Sequence, residues 1–180
     1  NNRDSLFAAI RRREAYATRG TRPILRFFGG WDYYPDLCQS ADMVATGYAR
    51  GVPMGGDLPP LPAAAQALQP RFVVSVLQDP GTAANPGTPL QRVQVIKGWY
   101  EDGELYEKVL HVAGGSNDAS VDVNSFEQYG SGHAALCSVW QDQDFNPAVP
   151  AFYYTRALEN PSCRWSQQVC VAAKVDCSDV

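Results

Sequence analysis

The sequence has no long hydrophobic segment. No apolar run approaches the ~20 residues that a membrane-spanning helix requires, so we predict no membrane span. It also has no signal peptide and starts at Asn1 without a methionine, which indicates an excised or processed piece of a longer protein.

The motifs of several reaction classes are missing as well. Only two histidines and no C-x-x-C pair are present, which argues against a structural zinc site. No G-x-S-x-G nucleophile elbow occurs, and the glycines of "MGGD" at 54–57 are not followed by the Lys-Ser/Thr of a phosphate loop. "DASVDVN" at 118–124 resembles a calcium loop but lacks its glycine and its final glutamate. We therefore predict no metal and no cofactor in this chain.

Acidic residues are scarce at the start of the chain. The first 26 residues hold seven arginines against Asp4 and Glu14, whereas the remainder holds eight basic and seventeen acidic residues. Such an asymmetry can mark nucleic-acid binding. No stripe of basic and aromatic residues continues beyond Arg26, however, so we predict no nucleic-acid partner. The acidic remainder can instead be the docking partner of the basic segment.

Five cysteines are present, an odd number that leaves one thiol free or paired outside the chain. Disulfides in an oxidising compartment are the simpler interpretation, although all five could be reduced and buried. We predict a periplasmic or secreted protein and leave the pairing open. The disulfide candidates are Cys38, Cys137, Cys163, Cys170 and Cys177.

Fifteen glycines and thirteen prolines predict many turns and few long helices. We expect a helix over 4–18, capped by Asp4 and stopped at Gly20, and a strand over 24–28 that Gly29 and Gly30 break. Residues 29–71 are predicted to be an ordered loop and a proline-rich linker, with one helical turn at 63–68.

A β region is predicted over 72–160. Its clearest element is a hairpin, "LQRVQVIKGWY" and "ELYEKVLHVA", joined at Glu101-Asp102-Gly103. "RFVVSVLQ", "AALCSVW" and "AFYYTRAL" are further strands, residues 113–132 are a long loop, and 161–180 is a cysteine-containing tail. The predicted class is α+β, mostly antiparallel β, with a sandwich-like sheet of four to six strands, one N-terminal helix and long ordered loops.

The segment "AFYYTRALENPSCRWS" at 151–166 holds the candidate site. Strand alternation flanks Arg156 with apolar side chains, so it needs a carboxylate such as Glu159, a loop acid or backbone carbonyls. Arg164 and Trp165 follow a proline turn, where the indole could cover a guanidinium. These four residues either pin the chain where it leaves the sheet or bind an anionic or sugar ligand.

Four segments resemble, in order, the bacterial family named domain of unknown function 3604: "REAYATRGTRPILRFFGGW", "GYARGVPMGGDLP", "RVQVIKGW" and "PAFYYTRALENPSCRWS". The resemblance implies a relationship to the PHP (polymerase and histidinol phosphatase) metal-dependent hydrolases, and export. It also implies that residues 1–28 end an upstream barrel whose metal ligands precede Asn1, and that the chain is shortened at both ends. Many relatives carry a cysteine near Phe126, so Cys137 would lack its usual partner.

We therefore expect a non-catalytic C-terminal portion of an exported PHP-like hydrolase of unknown substrate, which scaffolds or covers an upstream active site. The parent protein would hold a divalent metal, and the upstream domain of the same protein would be the partner. Segment 47–59 and Arg164–Trp165 would approach that site. The alternative is a stand-alone β-rich module that binds a carbohydrate or an anion, and a third possibility is an oligomer formed through the apolar loop surface.

Overall fold

The structure is a computed structural model that describes residues 2–61 and 68–177. A short 3₁₀ turn at Leu37–Gln39 precedes the second helix. In chain order the helices and strands are α1 (Arg3–Arg11), β1 (Ile24–Gly30), α2 (Met43–Arg50), β2 (Gly51–Pro53), β3 (Arg71–Leu77), β4 (Leu90–Glu101), β5 (Glu104–Gly114), β6 (Ser120–Val121), β7 (Gln128–Tyr129), β8 (Ala135–Gln141), β9 (Ala151–Glu159) and α3 (Trp165–Ala173).

The strands form three antiparallel sheets. The four-stranded sheet has the order β2-β1-β3-β8, the three-stranded sheet has the order β5-β4-β9, and β6 pairs with β7 alone. The predicted α+β class with mostly antiparallel strands is confirmed.

The main hydrophobic core lies between the four-stranded and three-stranded sheets. Phe27 and Val74 of the first sheet pack in one buried cluster with Val93 and Val95 of the second. This burial follows from the alternation of side chains along each strand, which sends every second residue of β4 toward the core.

A second core covers the opposite side of the four-stranded sheet. Phe28 and Val73 pack there against Tyr33 and Leu37, beneath the 3₁₀ turn and α2. The hydroxyl of Tyr33 donates a hydrogen bond to the carbonyl oxygen of Gly47 at 2.6 Å, which ties α2 to this layer.

The N-terminal helix is shorter than the sequence pattern predicts. Its cap is Asn2 and not Asp4, because the Asn2 side chain accepts a hydrogen bond from the Ser5 amide. The helix ends at Arg11 and not near Gly20. Arg13 has a positive φ of 60°, and its guanidinium bonds to the carbonyl of Gly55, so the chain turns away toward α2.

Residues 29–71 are more structured than predicted. Gly29 and Gly30 continue β1 and pair with both β2 and β3. The 3₁₀ turn, α2 and β2 all lie in the segment that was predicted to be a loop. The predicted helical turn at 63–68 falls almost entirely on 62–67, outside the described residues.

The β4–β5 hairpin is confirmed. Asp102 and Gly103 both adopt positive φ, 51° and 87°, which is the conformation that an Asp-Gly turn favours. Within the predicted loop 113–132 the structure adds the small β6–β7 pair, and within the predicted tail 161–180 it adds α3. The proposed domain boundaries stay a prediction.

Two disulfides form. Cys38 of the 3₁₀ turn pairs with Cys137 of β8, and Cys170 of α3 pairs with Cys177. Cys137, which the resemblance implies would lack its usual partner near Phe126, instead pairs with Cys38, because the second core brings the 3₁₀ turn against β8. Cys163 is the free thiol of the described chain.

Candidate ligand-binding face

The three-stranded sheet turns one side to the core and the other side outward. Because Val93 and Val95 point to the core, the alternate residues of β4 and their partners on β5 and β9 point outward. We call this side the outer face. It comprises Gln94, Ile96, Gly98 and Tyr100 of β4, Leu105, Glu107, Val109 and His111 of β5, and Phe152, Tyr154 and Arg156 of β9.

The ring of Phe152 lies flat over Gly98. A Cβ atom built on Gly98 would lie 2.3 Å from Cζ of Phe152, so a larger residue at position 98 would force the ring to move. The Phe152 residue is nevertheless 61% exposed. One side of the ring therefore rests on the strand and the other side faces solvent.

Tyr154 lies beside Phe152 in a similar orientation. Its hydroxyl reaches Oε2 of Glu107 on β5 at 3.5 Å, so its ring extends from β9 across β4. Ile96, which is aligned with Tyr154, is fully buried although it belongs to the outer face. The two rings are nearly parallel, at 13°, with centroids 6.4 Å apart. We call Phe152 and Tyr154 the aromatic platform.

A row of polar side chains borders the platform. Arg156 Nε donates to Oε1 of Gln94 at 3.0 Å, and Nε2 of Gln94 lies 3.5 Å from Nε2 of His111. Since the Gln94 amide nitrogen can only donate, the imidazole nitrogen accepts. Arg156 is exposed, and its Nη atoms make no hydrogen bond or ion pair within the described chain.

Arg92 extends this polar end of the outer face. It pairs with Leu158, two residues beyond Arg156 on β9. Its Nη1 donates to Ser116 Oγ at 3.1 Å, but its buried Nε has no partner among residues 2–61 and 68–177. Two guanidinium groups therefore lie at one end of the platform, and the carboxylate of Glu107 lies beside it.

The opposite side of β4 holds a buried ion pair. Lys97 Nζ donates to Asp142 Oδ2 at 2.6 Å and to the carbonyl oxygen of Asp144 at 2.9 Å. The Tyr153 hydroxyl donates to the same carboxylate oxygen at 2.6 Å, and burial together with this bond raises the Tyr153 pKa. All of these polar groups are satisfied, so the cluster has a structural role: it holds β4 and β9 against the segment after β8.

A cleft of about 700 Å³ adjoins the platform. Its lining includes residues 52–61 and, from the segment before and at the start of β9, Phe145, Pro147 and residues 149–153. Trp31 donates its indole N–H to the Pro59 carbonyl at 3.0 Å and packs edge-on against Phe145. Part of the predicted segment 47–59 therefore lines a concave surface next to the platform.

The four predicted site residues do not come together. Arg156 lies on the outer face, and its partner is Gln94 and not Glu159. Glu159 ends β9 and accepts a hydrogen bond from Thr21 Oγ1 at 2.5 Å. Arg164 is the N-cap residue of α3, and Trp165, which begins this helix, is 75% exposed. No cation–π contact within the described chain involves Trp165, so the expected Arg–Trp contact is absent there.

Glu159 should make folding stability pH-dependent. Burial raises its pKa above the usual value of 4.5, its Oε1 is buried without a partner in the described chain, and Asp79 adds repulsion. Between pH 4.5 and the raised pKa the folded state holds more protons than the unfolded state, so stability falls as pH rises through this window. We expect Glu159→Gln to remove this fall, as measured by urea unfolding at a series of pH values.

Asp122→Asn is the matched control. Backbone amides of Asn124 and Ser125 lower the Asp122 pKa, so its contribution is present at neutral pH and is lost as pH falls. As pH rises, Glu159→Gln should therefore gain stability relative to the wild type, whereas the control variant should lose it. Parallel profiles would contradict the assignment of Glu159.

Comparison with known proteins identifies the family. Residues 1–179 match the family described as Protein of unknown function (DUF3604). The chain belongs to this family. A search of curated proteins and a search of solved structures each gave no match.

The described part of this DUF3604 chain shows neither a membrane-spanning helix nor a metal-binding cluster. Over residues 2–61 and 68–177, no helix combines the length and hydrophobicity that a membrane span requires. Over the same residues, no three His, Cys, Asp or Glu side chains meet as a metal-binding group. The two disulfides are typical of proteins from an oxidising compartment.

Proposed function

We propose that this DUF3604 chain is the non-catalytic C-terminal portion of an exported, metal-dependent hydrolase of the PHP type. In this proposal a preceding domain of the same polypeptide carries the active site and its divalent metal. The present chain scaffolds or covers that site. The observation that carries the proposal is the exposed apolar face of α1.

Helix α1 is amphipathic, and its apolar side is exposed. Leu6, Phe7 and Ile10 are 62%, 62% and 66% exposed, and no residue of the helix is buried. These side chains share one helical face, as do the residues of helices that pack on a partner. An apolar face of this kind supports a docking role.

The residues that directly follow this helix are bonded to segment 47–59, which is also expected to approach the upstream site. Arg13 donates twice to the carbonyl of Gly55, at 2.8 and 3.1 Å, and Tyr48 donates to Glu14 at 2.7 Å. We call α1 and segment 47–59 the docking surface. Basic Arg11 and Arg12 follow its apolar residues, so its complement is an apolar groove with an acidic rim, which the upstream domain would supply.

Metal-dependent phosphoester hydrolysis by the longer protein tests this proposal. We expect Ile10→Asp to reduce the activity about tenfold or more, because a charge cannot be buried in the apolar contact. Val169→Asp is the control: Val169 is an exposed apolar residue on α3, away from the docking surface. Turnover by the 180-residue chain alone would overturn the scaffold role, and an unchanged Ile10→Asp enzyme would overturn the docking surface.

A second candidate function is a stand-alone module that binds a carbohydrate or an anionic ligand. The aromatic platform beside Arg156 is the specific observation that favours it. This function needs no upstream domain, so binding by the isolated chain tests it independently of the first candidate.

A further inference from the structure

We propose that the outer face binds an acidic oligosaccharide, with sugar rings stacked on Phe152 and Tyr154 and a uronate carboxylate at Arg156. This inference rests on the second candidate function and gives it a ligand class and a site. It does not depend on the hydrolase proposal.

The platform fits a flat ligand. Phe152 is held down on Gly98, and Tyr154 is held across β4 by its contact with Glu107, so both rings present faces rather than edges. The face of an aromatic ring carries partial negative charge and attracts the slightly positive C–H groups of a pyranose ring. Two nearly parallel rings with centroids 6.4 Å apart offer stacking positions for neighbouring sugar units.

The polar border favours an acidic sugar over a neutral one. Arg156 uses only Nε within the described chain, which leaves the planar pair of Nη donors for a carboxylate. Arg92 adds a second positive charge at the same end. The chain as a whole has a net charge of −4, so general attraction cannot draw in an anion, and any preference must come from these two arginines.

The remaining polar groups suit sugar hydroxyls. The Glu107 carboxylate lies beside the rings and can accept from a hydroxyl group. His111 is held by Gln94 through Nε2 at the polar end, leaving Nδ1 as a donor. Stacking on the aromatic platform and hydrogen bonds from its polar border together position a sugar. An apolar protein segment bound at the same place would leave these polar groups unpaired.

Calorimetric titration of the 180-residue chain tests the proposal. The probes are an oligogalacturonate and an uncharged cello-oligosaccharide of equal length, at low salt. We expect the oligogalacturonate to bind about tenfold more tightly, because a charge-assisted bidentate pair adds to the stacking. Equal affinity for the two would overturn the acidic ligand class, and no binding of either would overturn the site.

Variants locate the site. Phe152→Ala and Tyr154→Ala should each weaken binding about tenfold. Gly98→Ala should weaken it while retaining both rings, because the added Cβ displaces the Phe152 ring. Arg156→Gln should reduce oligogalacturonate affinity to that of the neutral sugar. Phe152, Tyr154 and Arg156 are exposed and Gly98 is buried beneath the Phe152 ring, so an unchanged melting temperature is the check that each variant is folded.

Tyr129→Ala and Arg19→Gln are matched controls, because they remove an exposed aromatic ring and an exposed guanidinium that are not part of the outer face. Both should bind as the wild type does. Binding that survives Phe152→Ala and Tyr154→Ala would overturn the proposal. So would a concentration-dependent dimer abolished by Phe152→Ala, since a second copy would then cover the face. Neither result bears on hydrolysis by the longer protein, so the two proposals fail separately.

Discussion

Replacing Cys38 and Cys137 by alanine should lower the free energy of unfolding by about 5 kcal/mol. This disulfide joins residues 99 positions apart, and closing so long a loop removes much entropy from the unfolded chain. It also ties the 3₁₀ turn to β8, so its loss loosens the second core. Urea unfolding of the oxidised protein, followed by far-UV circular dichroism, measures the change.

The Cys170–Cys177 pair is the control for loop length. It closes a separation of only seven residues, so its removal should cost about half as much as removal of the long-range disulfide. Equal losses from the two double variants would show that loop closure is not the main source of stabilisation.

Replacing Asp142 by asparagine should destabilise the fold by about 3–5 kcal/mol. Lys97 and Asp142 are 6% and 2% exposed, so the variant leaves the ammonium group buried without its counter-charge. Tyr153 also loses a charged acceptor. The free energy of unfolding from urea titration measures the effect, and the melting temperature should fall with it.

Two comparisons isolate the ion pair. Lys97→Met with Asp142→Leu removes both charges and should cost much less than Asp142→Asn alone. Lys108→Gln breaks the neighbouring pair with Asp144, which is exposed, and should change stability little. If the double variant were as unstable as Asp142→Asn, the loss would come from packing and not from the buried charge.

The β4–β5 hairpin could be predicted because its signal is local. Asp102 and Gly103 tolerate the positive φ of the turn, and the flanking residues alternate as strand residues do. The same holds for β3, β8 and β9, whose apolar and aromatic runs lie in the predicted segments. Antiparallel strands between short turns then fix the fold class.

The end of α1 and the formation of α2 depend on contacts between residues that are distant in sequence, which a local sequence pattern does not contain. Residues 4–18 read as one helix, but the bonds from Arg13 to Gly55 turn the chain after Arg11. Helix α2 includes Gly47, an unfavourable residue in a helix interior. It forms because Tyr33 and Phe28 hold it on the second core.

The candidate site was predicted only in part. Alternation grouped Phe152, Tyr154 and Arg156 on one side of β9, and this grouping is confirmed by the register. The inference that apolar neighbours bury Arg156 was wrong, because that side faces outward and Tyr153 faces the core. Gly98, in the middle of an otherwise bulky strand, was the available signal for a ring lying across it.

The contact between Gly98 and Phe152 links two positions 54 residues apart in a way that selection can act on. An aromatic ring at the position of Phe152 can lie over the adjacent strand only if the residue opposite it, at position 98, is glycine. In a relative that has replaced this glycine, the ring cannot lie in this position, and selection no longer maintains the aromatic residue. The two positions should therefore vary together during evolution, and their joint pattern would separate family members that keep the flat surface from those that have lost it.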